Sequence, residues 1–174
     1  MLGLWQKENL ELALCAIEVL NNNGYDISEK AITQGLKNVF WTCRMQLFKN
    51  KNILLDGTHN PDGARVLRKS LDYYFPNKKR VWVYGSLTTK DYPKVMETLF
   101  ESQDEVYFYN FEYPNAADFR ALSSNYKHCA PLNLKDLDYL LHENKEALII
   151  ICGSFYMLGQ ILEKSYFFNS MNNQ

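Results

Sequence analysis

Ile53-Leu54-Leu55-Asp56-Gly57-Thr58-His59-Asn60-Pro61 is the stretch on which the fold turns. Three apolar residues in a row make a strand. Gly57 lets the backbone turn tightly. Asn60 to Phe75 then reads as a helix, with Pro61 in the first turn, where proline's missing N–H costs nothing. An acid, a histidine and a helix N-terminus therefore meet at one strand end. Asp56 suits hydrogen bonds from ribose hydroxyls. His59 and the free N–H groups of the helix start suit phosphate oxygens. The same residues also fit a plain strand–turn–helix junction with Asp or Asn as the cap, and the sequence leaves both readings open.

Outward from this stretch the same alternation recurs. Met45 to Phe48, Asn52 to Asp56, Arg80 to Gly85, Glu105 to Phe111 and Leu148 to Cys152 are strand candidates. Helices are expected at Tyr92 to Glu101, Phe119 to Ser123, Leu134 to His142 and Phe155 to Lys164. Strands alternating with helices predict an α/β fold, a mainly parallel sheet with helices on both faces. Ligands in such folds bind at the carboxyl ends of the strands. A short helical pair precedes the sheet: Leu4 to Leu20, stopped by Asn21-Asn22-Asn23-Gly24, and Glu29 to Leu36, capped by Ser28. The expected division is 1–40 helical, 41–166 sheet domain, and 167–174 a flexible, asparagine-rich tail.

The 174 residues carry a formal net charge of -1, so no field of one sign exists to attract a polyphosphate backbone, and nucleic acid is not an expected partner. No apolar run approaches the roughly 18 residues of a membrane span. The four cysteines, Cys15, Cys43, Cys129 and Cys152, are scattered and form no CxxC pair. No metal site is expected from them, and a cytoplasmic, reducing compartment fits best.

Three further signals carry chemistry. Lys90, in Gly85-Ser86-Leu87-Thr88-Thr89-Lys90-Asp91, follows a strand and precedes a helix, and can hold a carboxylate or phosphate as a point charge. A solvated loop with Asp91 as an N-cap is the plainer reading. Ser154, after Cys152-Gly153, either caps the last helix or meets a ligand carboxylate. Arg44, at the seam between helical pair and sheet, suits a bidentate contact to phosphate or carboxylate, or a simple packing on Trp41. His128 and His142 read as surface residues.

The order of these pieces resembles the C-terminal part of folylpolyglutamate and dihydrofolate synthases, of the Mur ligase superfamily. Gly3-Leu4-Trp5-Gln6-Lys7-Glu8-Asn9 resembles that family's glycine–x–His–Gln–x–x–Asn helix. Trp41 to Arg44 resembles its tryptophan and Gly-Arg pair, Asp56 to Pro61 its Asp-Gly-Ala-His-Asn-Pro block, Lys90-Asp91 its Lys-Asp pair, and Cys152-Gly153-Ser154-Phe155-Tyr156 its closing Cys-Gly-Ser-x-Tyr. Trp5, Cys43, Thr58 and Asn115 depart from the pattern, replacing histidine, glycine, alanine and arginine. The resemblance implies a Rossmann-like Mur ligase C-terminal domain. It implies a nucleotide site at Asn9 (adenine), Arg44, Asp56 (ribose) and His59 (phosphates), and a glutamate side at Lys90, Asp91 and Ser154.

Such enzymes use ATP and magnesium to form an acyl phosphate on a folate carboxylate, which the glutamate amine then attacks. The family's phosphate-gripping loop and magnesium ligands belong to an N-terminal ATPase domain, and no loop ending in Gly-Lys-Ser or Gly-Lys-Thr occurs in these residues. ATP, glutamate, folate and that ATPase domain are thus the expected partners, with no catalytic residue acting in isolation. A non-catalytic nucleotide- or amino-acid-binding module is the alternative.

Overall fold

The computed structural model describes residues 2–126, 128–144 and 146–172. In chain order these form α1 (Gln6–Asn22), α2 (Glu29–Asn38), β1 (Gln46–Phe48), β2 (Ile53–Asp56), α3 (Pro61–Tyr74), β3 (Arg80–Tyr84), α4 (Tyr92–Leu99), β4 (Glu105–Tyr109), α5 (Phe119–Ser123), β5 (Cys129–Leu132), α6 (Leu134–Glu143), β6 (Leu148–Cys152), α7 (Phe155–Lys164) and α8 (Tyr166–Asn172). Helix starts follow side-chain chemistry. Ser28, Asn60, Asp91, Asp118, Asn133 and Ser154 each accept a hydrogen bond from the backbone N–H three residues on, satisfying a donor that the helix itself cannot.

The strands pair in the order β1-β2-β6-β3-β4-β5. β1 runs antiparallel to β2 at one edge, and the other pairings are parallel, as expected for strands joined by helical crossovers. Both faces are covered, so the central strands β2, β6 and β3 are buried at every position and apolar except at Asp56 and Arg80. Ile53, Leu55, Val81, Val83, Ile149 and Ile151 pack with residues of α6, α7 and α8. Leu54, Trp82, Tyr84, Leu148, Ile150 and Cys152 pack with residues of α3, α4 and α5. Burying each such aliphatic side chain stabilises the fold by about 1.5–3 kcal/mol.

Two expectations need correction. β5 was not foreseen: its Pro131 lowers strand propensity, yet the strand lies at the sheet edge, where a missing donor is tolerated. The expected flexible tail from residue 167 is instead part of α8. Phe167 and Phe168 are buried in the α7 side of the core, and Asp138 accepts hydrogen bonds from the Ser165 hydroxyl and the Tyr166 and Phe167 amides. Two phenylalanines outweigh the asparagines around them. Residues 173–174 lie outside the described residues.

The helical pair differs from the rest. Neither α1 nor α2 buries a residue, although α1 is rich in leucine. Leu12 is 70% exposed and Trp41, after α2, 65%. The pair is tied to the sheet domain at its start, where the Leu4 amide donates to Ser70 Oγ at 3.1 Å and Leu2 and Trp5 pack on the α3 side of the core. Leu12→Glu should therefore change stability by less than about 0.5 kcal/mol. Thermal denaturation checks this, and a loss of several degrees would show that α1 carries packing.

Candidate functional site

β2, β6 and β3 lie side by side, and a glycine follows each: Gly57, Gly153 and Gly85. Each is required by close approach. A Cβ on Gly57 would stand 2.0 Å from the Phe155 ring; on Gly153, 2.3 Å from the Gly85 carbonyl oxygen; on Gly85, 2.7 Å from Met157 Sδ. Past these glycines the chain diverges. β2 and β3 lead into helices on one face, while β6 leads into α7 on the other. Such a divergence opens a crevice at the strand ends.

In that crevice lies a cavity of about 230 Å³, lined by His59, Leu87, Lys90, Gly153, Ser154, Phe155 and Tyr156. It is smaller than the roughly 300–1,000 Å³ of drug-sized pockets, and suits a small polar molecule. Three of the expected residues, His59, Lys90 and Ser154, come together here. A larger groove of about 510 Å³ runs past Lys79, Glu105 and Tyr139. It follows α6 past the amino ends of β3, β4 and β6, and none of His59, Lys90 and Ser154 lines it.

His59 Nδ1 lies 2.8 Å from the Gly57 carbonyl. A carbonyl only accepts, so Nδ1 carries the proton and Nε2 is left for a ligand. The imidazole also meets the Phe155 ring edge-on, with centroids 6.1 Å apart. Lys90 is exposed and, among the described residues, has no ion-pair partner. Its ammonium is free for an anion. Ser154 is buried and caps α7, with the Met157 amide 3.5 Å from its hydroxyl. Asp91 caps α4 at 3.3 Å and does not line the cavity, which favours its plainer reading.

Asp56 is the main correction within the site. Its carboxylate does not face the crevice. It is 1% exposed and points inward, one oxygen accepting from the Met45 amide at 2.9 Å, the other from the Thr58 amide at 2.9 Å and from the Thr58 hydroxyl. Burial raises its pKa above the ordinary aspartate value, against the lowering effect of these bonds and of the Arg44 charge. Thr58, where the resembled pattern has alanine, thus adds a hydrogen bond to this carboxylate.

The loop before β1 is built around the same carboxylate. Cys43 and Met45 both take left-handed conformations, with φ of 60° and 43°. Such residues cost about 1–3 kcal/mol each and persist only where neighbours hold them. Here the Gly57 amide donates to the Cys43 carbonyl at 2.8 Å, Gln46 Oε1 accepts from the Cys43 amide at 3.0 Å, and Asp56 holds Met45. Cys43 stands where the resembled pattern has glycine, the residue that takes φ > 0 most easily. Burial, then the Asp56 charge, pushes the Cys43 thiol up to about 11, so it is no nucleophile near neutrality. Between these two residues Arg44 is presented outward, its guanidinium 5.0 Å above the Phe155 ring. The packing partner is therefore Phe155, not Trp41.

Asn9 does not join this group. On α1 it lines a separate depression with Leu10, Ala13, Leu36 and Val39, and its amide donates to Gln6 Oε1 at 3.2 Å. Sequence reasoning missed Phe155 and Tyr156 as lining residues. The available signals were their position beside Ser154 and the place of Tyr156 in the closing Cys-Gly-Ser-x-Tyr block. Among the described residues no group of three or more His, Cys, Asp or Glu side chains could hold a metal ion.

Residues 43–155 match the family described as "Mur ligase, glutamate ligase domain". A dihydrofolate synthase/folylpolyglutamate synthase of Bacillus subtilis is 26% identical over 171 residues, covering 94% of this chain and 40% of its own length. Among solved structures, the folylpolyglutamate synthase of Thermotoga maritima superposes with a TM-score of 0.74 at 28% identity, over 94% of this chain and 39% of that one. The bifunctional folylpolyglutamate synthase/dihydrofolate synthase of Yersinia pestis, complexed with AMPPNP and a manganese ion, gives 0.74 at 26% identity, over 85% and 37%. The chain thus spans about two fifths of the length of these relatives.

Proposed function

The chain belongs to the Mur ligase glutamate-ligase domain family, and from this premise we propose that it is the glutamate-side part of an ATP-dependent ligase that adds L-glutamate to a folate. The observation that carries the proposal is the small cavity in which Lys90, His59 and the start of α7 converge at three strand ends. The names and ligands of the relatives support the substrate class.

In this reading Lys90 pairs with a carboxylate of the incoming glutamate, and Ser154 with the α7 N-terminus meets the same molecule. Asp91 contributes on that side only by capping α4. Arg44 faces the nucleotide phosphates, and His59 meets them as an Nε2–H donor, with both ring nitrogens protonated. Asp56 acts beneath them, holding the loop that presents Arg44. Asn9 reaches adenine from the helical segment 1–40, which is the end of the ATPase domain, while 41–166 is the ligase domain. The exposed leucines of α1 accord with packing against the rest of that domain. Glutamate's amine would attack the acyl carbon of a folate acyl phosphate, forming the C–N bond as phosphate leaves. This chain's residues hold the amine donor in place for that attack.

In this reading magnesium belongs with the ATPase portion, as the resemblance to the synthases implies. The chain also has no Gly-Lys-Ser or Gly-Lys-Thr loop to grip the β- and γ-phosphates. The 174-residue chain by itself should therefore neither hydrolyse ATP nor join glutamate to a folate.

Amide chemical-shift mapping with L-glutamate and with AMPPNP tests the assignment. L-Glutamate should shift Lys90, Ser154 and Phe155, and AMPPNP should shift Gly57 to Asn60 and Arg44. Lys90→Ala should weaken L-glutamate binding about tenfold, the loss of one charge-assisted contact. Shifts confined to the groove along α6, or ATP turnover by the pure chain, would overturn the reading. AMPPNP or glutamate binding at the cavity without turnover in the presence of an ATPase portion would favour the non-catalytic module.

A further inference from the structure

Tyr113 and Tyr156 stack face to face, with ring centroids 3.8 Å apart and planes 19° from parallel. Both are exposed, at 36% and 51%, so burial alone does not explain the pairing. Tyr156 lines the cavity and Tyr113 does not. The significance of the stack lies in what it connects. Tyr156 stands in the first turn of α7, two residues after Ser154. Tyr113 belongs to the segment 111–117 that follows β4.

That segment is fastened at both ends. On the α7 side the Glu112 amide donates to Gln160 Oε1 at 3.2 Å, and Gln160 Nε2 donates to the Glu112 carbonyl at 2.6 Å. On the other side it holds the loop that carries Lys90. The Thr88 amide donates to the Asn115 carbonyl at 2.7 Å, the Ala117 amide to the Ser86 carbonyl at 2.8 Å, and Leu87 forms a bridge with Ala116. Asn115 takes a left-handed φ of 60°, a costly conformation that persists where surrounding contacts impose it. The Lys90 turn has little support of its own. Within it the Lys90 amide donates to the Leu87 carbonyl at 3.0 Å, and the Ser86 hydroxyl lies 3.5 Å from the same oxygen.

We propose that Tyr113 is a positioning residue: stacked on Tyr156, it braces the Lys90 loop against the start of α7 and so sets the width of the cavity. The ligand assigned to that cavity rests on the reading under Proposed function; the mechanical coupling does not. Without the brace the turn samples wider arrangements, and a ligand must then order it on binding, at a cost in affinity. Tyr113 touches no ligand in this scheme. It acts through Tyr156 on one side and through Asn115 and Thr88 on the other.

Hydrogen exchange and L-glutamate titration on the 174-residue protein test this together. In Tyr113→Ala the Thr88 and Ala117 amides should exchange on the order of tenfold faster, while β2 and β6 amides keep their protection. Tyr113→Phe, which keeps the stacking face, should restore wild-type exchange. L-Glutamate binding, read at the Lys90 amide, should weaken several-fold in Tyr113→Ala and recover in Tyr113→Phe. Unchanged exchange at Thr88 and Ala117 in Tyr113→Ala overturns the brace. So does a loss of protection that spreads to β2 and β6, since Tyr113 would then serve the fold as a whole. No response of Lys90 to L-glutamate in the wild-type protein would instead sink the ligand assignment, with the exchange rates still deciding the brace.

Discussion

Gly153→Ala is expected to lower stability by about 3–5 kcal/mol. Two costs add. Gly153 sits at φ 114°, a region that L side chains rarely enter. The new Cβ would also lie 2.3 Å from the Gly85 carbonyl oxygen and 2.7 Å from the Tyr84 ring, so backbone of the neighbouring strand end must move. For a protein of this size the shift in Tm should be on the order of 10 °C. Gly159→Ala is the internal control. It lies within α7 with nothing within 4 Å of its would-be Cβ, and should stabilise by about 0.5–1 kcal/mol. A Gly153→Ala protein within 1 kcal/mol of wild type by denaturant unfolding would show that the three strand ends are loosely packed.

Asp56→Ala should cost about 2–4 kcal/mol, because it strands the Met45 and Thr58 amides, both bound to the carboxylate and buried with it. The consequence reaches the site through Met45, whose left-handed turn presents Arg44. The pH dependence has a definite sign. The folded-state pKa is raised, so the folded protein holds this proton more tightly than the unfolded chain does. The resulting stabilisation is fully present below the unfolded value of about 3.9 and is lost as pH rises through the raised folded value. Compared with Asp56→Asn, which cannot titrate, wild type should therefore lose relative stability across that interval. Thermal unfolding of both proteins from pH 3.5 upward reads this directly. A flat difference would mean that the carboxylate's hydrogen bonds offset its burial.

β2, β3 and β6 were readable because strands covered on both faces are near-continuous apolar runs, as in Ile53-Leu54-Leu55, Val81-Trp82-Val83 and Leu148-Ile149-Ile150-Ile151. α3 and α7 were readable because Asn60, Pro61 and Ser154 are the residue types that begin helices. β5 was not readable, since what makes Cys129–Leu132 a strand is the free edge of β4, a non-local partner. The α8 anchor was hidden for the same reason. Phe167 and Phe168 are only two apolar residues in a polar tail until α6, α7 and Phe48 supply a surface for them.

For the site, local sequence determined that Asp56, His59, Lys90 and Ser154 each stand at the junction of a strand and a helix, and that a parallel sheet would bring such junctions to one end. Those are properties of short segments and of the crossover rule, and neither needs coordinates. Only the tertiary structure decided which way each side chain turns. Asp56 points inward, where its carboxylate accepts from the Met45 amide of a loop held in two left-handed turns. His59 stays at the cavity because Gly57 holds its Nδ1 and Phe155 flanks its ring. The orientation of a polar side chain is set by whichever donor or acceptor lies within about 3 Å. For Asp56 one such donor is the Met45 amide of the loop before β1, and the ring that flanks His59 comes from α7, so neither orientation can be read from the strand–turn–helix segment alone.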